Sequence, residues 1–158
     1  MFVECRLSYE KLKNTIENLI SKGVDEFLIG THGEFDKMCL LACISLKKVY
    51  SNIKIFKVYS SISKILKEPK IKHIENVCFN IEQFHYKQRI KKSNEFMIDK
   101  ADIIVCYVDE NLNHSGAKTS FVYAKKKNKK IINLYWQTQL NIVKCNRTLT
   151  RVMRKLQR

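Results

Sequence analysis

Apolar residues follow two rhythms along this chain, and the alternation between them lays out its elements. Phe2 to Arg6 is apolar enough to predict a short first strand. From Ser8 onward Leu12, Ile16, Leu19 and Ile20 recur at helical spacing, with Ser8 placed to cap that helix and Gly23 to end it. Asp25 to Ile29 predicts a second strand, and Leu40, Leu41 and Ile44 supply the apolar side of a helix from Phe35 to Tyr50. Ile53 to Tyr59 alternates as a third strand. The segment SSISKILKEPKIKH, which contains the single proline, predicts a partly helical connection over the sheet edge. Val77 to Asn80 predicts a short fourth strand and Phe84 to Lys100 a long helix. DIIVCYV, Asp102 to Val108, is the most apolar run and has no helical period, the pattern of a central strand covered on both faces. A helix over Ala117 to Lys127 and a sixth strand over Lys130 to Leu134 follow. Strands alternating with helices in this way predict an α/β fold: a mostly parallel open sheet of about five or six strands with helices on both faces.

The tail from Tyr135 carries Leu149, Val152, Met153 and Leu156 at i, i+3, i+4 and i+7, with Arg147, Arg151, Arg154, Lys155 and Arg158 around them. A basic helix docked on the domain is the expectation for 135–158; a helix that binds RNA or a partner is the competing reading. At 158 residues the chain is expected to form one domain over 1–158. One proline and four glycines leave no linker-like segment. No run approaches the roughly 18 apolar residues that span a bilayer, and MFVECRLSYEKL lacks a signal-peptide core, so a cytoplasmic protein is expected. Six cysteines, at 5, 39, 43, 78, 106 and 145, include no C-x-x-C pair, which fits a reduced compartment and argues against a zinc site.

The net charge is +15, from thirty basic and fifteen acidic residues. Lysine together with many Asn and Ile is what an AT-rich coding sequence produces by default; the functional reading is attraction to nucleotides, nucleic acid or an anionic surface. The basic runs have no series of base-stacking aromatics beside them, which makes nucleic acid the lesser expectation.

Candidate chemistry concentrates on two loops. In FLIGTHGEFDKMCLLA an apolar strand stops at Gly30 and a helix begins a few residues later, with Thr31, His32, Glu34 and Asp36 crowded onto the turn. Gly30 and Gly33 let the chain reverse and let its N–H groups converge on an outside group, at a place where open α/β sheets hold ligands. The plainer reading is a strand-to-helix turn whose Asp36 caps the helix. The second loop runs from Asp109 through His114 to Ser115 and Gly116, at the start of the next helix.

The glycine turn closed by Phe35-Asp36, the segment SNEFMIDKADIIVCYVD and the block SGAKTSFVYAKKKNKKIINL occur in an order that resembles the small Rossmann-like, YspA-like proteins of the SLOG superfamily, over Phe2 to Leu134. Gly30, Gly33, Phe35 and Asp36 match the family's turn; Asn94, Met97 and Asp102 match a later motif; and Ser115-Gly116 stands where the family opens a helix with Gly-Gly, followed by Tyr123-Ala124. There are three departures. Glu4, Cys5 and Arg6 replace the family's Gly-His-Arg, Ser93 replaces an arginine, and GAKTSFVYA lacks the glutamate of the superfamily's glycosidic-bond enzymes.

The resemblance implies a nucleotide or nucleotide-derived ligand. Its phosphates would lie on the N–H groups of Gly30, Thr31, His32 and Gly33 and of Ser115, Gly116 and Ala117, with Arg6 or Lys118 as cationic partner. Asp109 would stand nearby, and Asn94 would either fix a base or ribose or tie two loops together. An N-glycosidic-bond hydrolase or transferase would need a carboxylate, for which Glu34 and Asp36 are the candidates, with His32 or His114 as acid. A basic nucleic-acid-binding protein is the further alternative. Expected partners are thus a small nucleotide-like ligand and further copies of the chain in a homo-oligomer, with no membrane, no metal and no cofactor beyond the nucleotide-type ligand.

Overall fold

The computed structural model describes residues 2–111 and 115–135, with side chains described for 9–111 and 115–135. The expected tail helix beyond Tyr135, His114 and the Arg6 side chain lie outside the described residues. Helix α1 runs over Phe2–Ser21, which corrects the expected first strand at Phe2 to Arg6 and puts Ser8 inside the helix rather than at its cap. No Gly or Pro separates Arg6 from Tyr9, and once Leu12, Ile16 and Ile20 anchor a helix, extending it backward adds a hydrogen bond per residue without a new nucleation step. At its other end Gly23, at φ 92, lets the Gly23 and Val24 amides fold back onto the Ile20 and Leu19 carbonyls.

Strand β1 (Glu26–Ile29) pairs in parallel with β2 (Lys54–Tyr59), Phe27 opposite Ile55 and Ile29 opposite Lys57. The far edge of β2 takes β3 (Ile74–Cys78), Ile55 opposite Ile74 and Tyr59 opposite Cys78. The strand expected at Val77 thus starts three residues earlier, because His73, at φ 68, turns the chain into the ladder just before Ile74. Strands β4 (Ile103–Cys106) and β5 (Lys130–Asn133) form a second parallel pair. The expected single sheet is therefore corrected: the described residues form a three-stranded and a two-stranded sheet, and no ladder joins β1 to β4.

Helix α2 (Glu34–Lys47) ends three residues before the expected Tyr50, α4 (Tyr86–Lys100) and α5 (Gly116–Lys126) lie within a residue or two of their expected limits, and a four-residue α3 (Ile62–Ile65) supplies the helical part of the expected connection. The core brings Leu12, Ile16 and Ile20 of α1 against Ala42, Cys43 and Leu46 of α2, with Ile29, Ile53, Ile55 and Leu134. Val105 of β4 and Ile132 of β5 pack against the same cluster, so one core serves both sheets. Full burial of each Leu or Ile contributes about 1.5–3 kcal/mol. Ile103–Cys106 is only half-buried at every position, less covered than its apolar run predicts. Burial pushes the Cys43 and Cys106 thiols up to about 12, and the Cys39 thiol higher still, so these cysteines stay protonated and behave as small apolar residues. Among the described residues no helix is long and apolar enough to cross a membrane.

Candidate functional site

The glycine turn after β1 is organised from within. One oxygen of Asp36, Oδ2, accepts from the backbone N–H of His32 at 2.9 Å and of Gly33 at 3.1 Å. These are amides that a phosphate at the turn needs, and here a carboxylate of the chain itself takes them. The same atom explains Gly30: a Cβ there would stand 2.8 Å from Asp36 Oδ2. Asp36 thus works as the cap of α2, the structural role that the sequence offered it. Glu34, with a side chain 83% exposed, bonds Lys37 at 2.6 Å on the outer face of α2. The turn is also fixed to the next strand, since Thr31 Oγ1 donates to the Val58 carbonyl at 3.4 Å and His32 Nε2 lies 2.9 Å from the hydroxyl of buried Ser60.

Desolvation is the main force holding the His32 imidazole below its ordinary value of 6.5; the positive charge of Lys64 adds to it and Asp36 opposes it. A histidine depressed in the folded state binds fewer protons there than in the unfolded chain, so its contribution to stability is whole above pH 6.5 and is lost as pH falls through the folded value. We therefore expect His32→Gln, which keeps a hydrogen-bonding side chain but does not titrate, to flatten the fall in urea midpoint between pH 7.5 and pH 5. An unchanged slope would show that other groups set it.

The second loop lies close to the first through stacked rings. Phe35, at the start of α2, stacks on Tyr107 with centroids 6.5 Å apart, and Tyr107 meets the edge of Tyr135 at 5.4 Å. The Tyr135 hydroxyl donates to Asp109 Oδ2 at 2.8 Å, and the Asn111 amide donates to Oδ1 at 2.9 Å. The Asn111 amide first, then Tyr135, hold the Asp109 carboxyl below the usual range. Asn133 closes the end of β5 onto this loop, donating to the Val108 carbonyl at 2.8 Å and accepting from the Val108 amide at 3.1 Å. Asp109 therefore shapes a turn beside the Gly30 turn.

The start of α5 has different surroundings. Ser115 Oγ accepts from the Lys118 amide at 3.0 Å, a side-chain cap that leaves the amides of Gly116 and Ala117 without partners inside the helix. Asn94 of α4 donates to Ser120 Oγ at 3.1 Å, and Ser120 donates to the Gly116 carbonyl at 3.1 Å. Asn94 thus ties α4 to the first turn of α5, the tying role open to it from the sequence. Ser93 beside it is 2% exposed, so this position faces inward.

A groove of about 620 Å³ opens between the two helices, lined by Lys91 and Glu95 of α4 and by Ser115, Gly116, Lys118 and Lys126, among others, along α5. That volume falls in the range that holds small ligands. Lys118 Nζ bonds the Glu110 carbonyl at 3.0 Å, fixing the loop to the groove wall, and Glu95 is paired with Lys92 at 2.7 Å. A Cβ at Gly116 would meet nothing within 4 Å, so the backbone there is open to close approach.

The structure thus gathers Ser115, Gly116 and Lys118 on one groove, while Asn94 is bonded to Ser120 and is not among the residues that line it. Gly30, Thr31, His32, Gly33 and Asp36 form a self-satisfied turn with Asp109 nearby, and none of them lines that groove. Lys91, Glu95 and Lys126 went unnoticed in the sequence. Their signal was the helical spacing from Lys91 to Glu95 and from Lys118 to Lys126, which marks a face only once α4 and α5 are known to be neighbours.

Parallel strands joined by helices, with polar turns beyond the strands' C-terminal ends, place the chain among α/β proteins. Within that class it belongs to the YspA SLOG family, whose model matches residues 4–145. This membership suggests a nucleotide-related function in general. No curated protein and no solved structure matches the chain.

Proposed function

We propose that the protein binds a phosphate-bearing nucleotide derivative in the groove between α4 and α5, with a phosphate at the first turn of α5. The observation that carries this reading is the convergence, on one groove of about 620 Å³, of the Ser115-capped helix start with Lys91, Lys118 and Lys126. The N–H groups of Gly116 and Ala117 offer fixed donors to an anion, and the lysines add charge that a neutral ligand would not use. Family membership supplies the nucleotide class. Cleavage of an N-glycosidic bond has weaker support. Glu34 is solvent-exposed, Asp36 is spent on its own turn, and Glu95, the carboxylate among the described groove residues, is tied to Lys92.

The test is a thermal-shift series on the full chain with mononucleotides, cyclic nucleotides, NAD and ADP-ribose, with phosphate and sulfate as controls. One nucleotide class is expected to raise the Tm at concentrations where phosphate does not. An exposed charge pair contributes up to about 1 kcal/mol, so Lys118→Ala and Lys126→Ala should each weaken binding by up to about fivefold. Equal shifts with plain phosphate, or binding indifferent to both lysines, would overturn the reading. Affinity for an oligonucleotide that falls steeply with salt would support a nucleic-acid-binding role instead.

A further inference from the structure

Between β2 and β3 the chain crosses over with a single helical turn, α3, where parallel strands are more often joined by a full helix. Pro69 accounts for the short helix, since it has no N–H to continue the ladder and disfavours helical angles at Glu68 before it. Little of the segment turns inward. Ile65 is half-buried, and Glu68 bonds Lys57 of β2 at 3.1 Å. Ile62 and Leu66, one turn apart on the same side of the helix, and Ile71 beyond the proline stand in solvent at 49, 80 and 41% exposure. Three of the nine large apolar side chains exposed among the described residues thus fall within ten consecutive positions.

Lysines alternate with them. Lys64, Lys67, Lys70 and Lys72 are exposed, and none enters an ion pair among the described residues. The nearby carboxylates are engaged, Glu68 by Lys57 and Glu82 by the Ile62 amide at 3.2 Å. Four positive charges therefore lie beside three outward aliphatic side chains on one exposed crossover.

We propose that residues 62–72 form a contact surface for an anionic lipid bilayer, with Ile62, Leu66 and Ile71 entering the boundary between headgroups and acyl chains and the four lysines among acidic headgroups. What the segment lacks selects this partner. A nucleic acid would use aromatic or Arg side chains, and 61–73 contains no Phe, Tyr, Trp or Arg. Protein interfaces are enriched in those same residues and depleted in Lys. A free phosphate would use the lysines and leave the aliphatic side chains in water. At a bilayer both are used, because a lysine stem lies along apolar surface while its ammonium stays with the headgroups. Among the described residues no helix is long and apolar enough to cross a membrane, and a surface contact needs none. Such a contact is independent of the nucleotide groove between α4 and α5.

With a net charge of +15 the whole chain is drawn to any acidic surface, so the test compares local variants that remove equal charge. Full-length protein should co-sediment with vesicles of phosphatidylglycerol and phosphatidylcholine in equal parts and not with phosphatidylcholine alone. Lys67→Gln combined with Lys70→Gln should weaken binding about 25-fold, at about fivefold per lysine. Lys22→Gln combined with Lys48→Gln, at exposed positions on other elements, should weaken it by less than about threefold. Leu66→Ala should weaken it about tenfold while the Tm stays at the wild-type value. Inorganic phosphate should release the protein no better than chloride at equal ionic strength. Equal losses from the two lysine pairs, wild-type binding by Leu66→Ala, or no binding to the mixed vesicles would each overturn the proposal. Release by phosphate beyond the ionic-strength effect would reassign the lysines to a free anion. An oligonucleotide that displaces the vesicles and depends on Lys67 and Lys70 but not on Leu66 would reassign them to nucleic acid, and either result would overturn the bilayer contact.

Discussion

Asp36→Ala is expected to lower the stability of the chain by about 2 kcal/mol, the upper range for loss of a helix cap, because two backbone donors depend on one oxygen. With the carboxylate gone, the His32 and Gly33 amides lose acceptors at 2.9 and 3.1 Å and the turn must find water for both. Gly30→Ala should cost about 1–3 kcal/mol by a related route, since its new Cβ meets Asp36 Oδ2 at 2.8 Å and the carboxylate can retreat only by releasing those amides. The double variant should lose less than the sum of the two, because the clash exists only while Asp36 is present. Urea midpoints of the four proteins, with m-values held constant, measure the coupling. Additive losses would mean that Gly30 answers to something other than Asp36. Asp36→Asn keeps an acceptor for both amides and should retain most of the stability.

Leu134→Ala is expected to cost more, about 2–5 kcal/mol, and to lower the Tm by roughly 4–20 °C. Leu134 is 1% exposed, follows β5 directly, and packs with Leu12 and Ile16 of α1 and Ile29 of β1. Since no backbone ladder among the described residues links the two sheets, side chains in this cluster hold one against the other. A cavity there removes dispersion contacts on both sides, and the rigid strands limit how far the site can collapse. Leu66→Ala, at a side chain 80% exposed, is the control and should change stability by less than about 0.5 kcal/mol. Equal effects of the two substitutions would show that the cluster does not couple the sheets.

Elements whose evidence is local were legible along the chain. The helices α4 and α5 and the strands β1, β2, β4 and β5 fall within a residue or two of their expected limits, and α2 within three, because the spacing of their apolar residues states the period directly. Phe2 to Arg6 misled for the same reason. Five residues are too few to distinguish a strand from the start of a helix, and the helix next to them extended back. His73, which advances β3, adopts a left-handed conformation that a residue other than glycine does not advertise.

By itself, then, the sequence determined the alternation of parallel strands and helices, the two polar loops, the family and the nucleotide class that the family suggests, since each rests on residues close together in the chain. The tertiary structure decided what the polar groups of those loops bond to. Whether the amides at Gly30–Gly33 stay open depends on where the Asp36 carboxylate swings. Whether Asn94 touches a ligand or Ser120, and whether Lys91 faces Lys118 across a groove, depends on how α4 packs on α5. The division into two sheets rests likewise on which strand edges find partners. These are matters of packing between distant segments, which local periodicity does not encode.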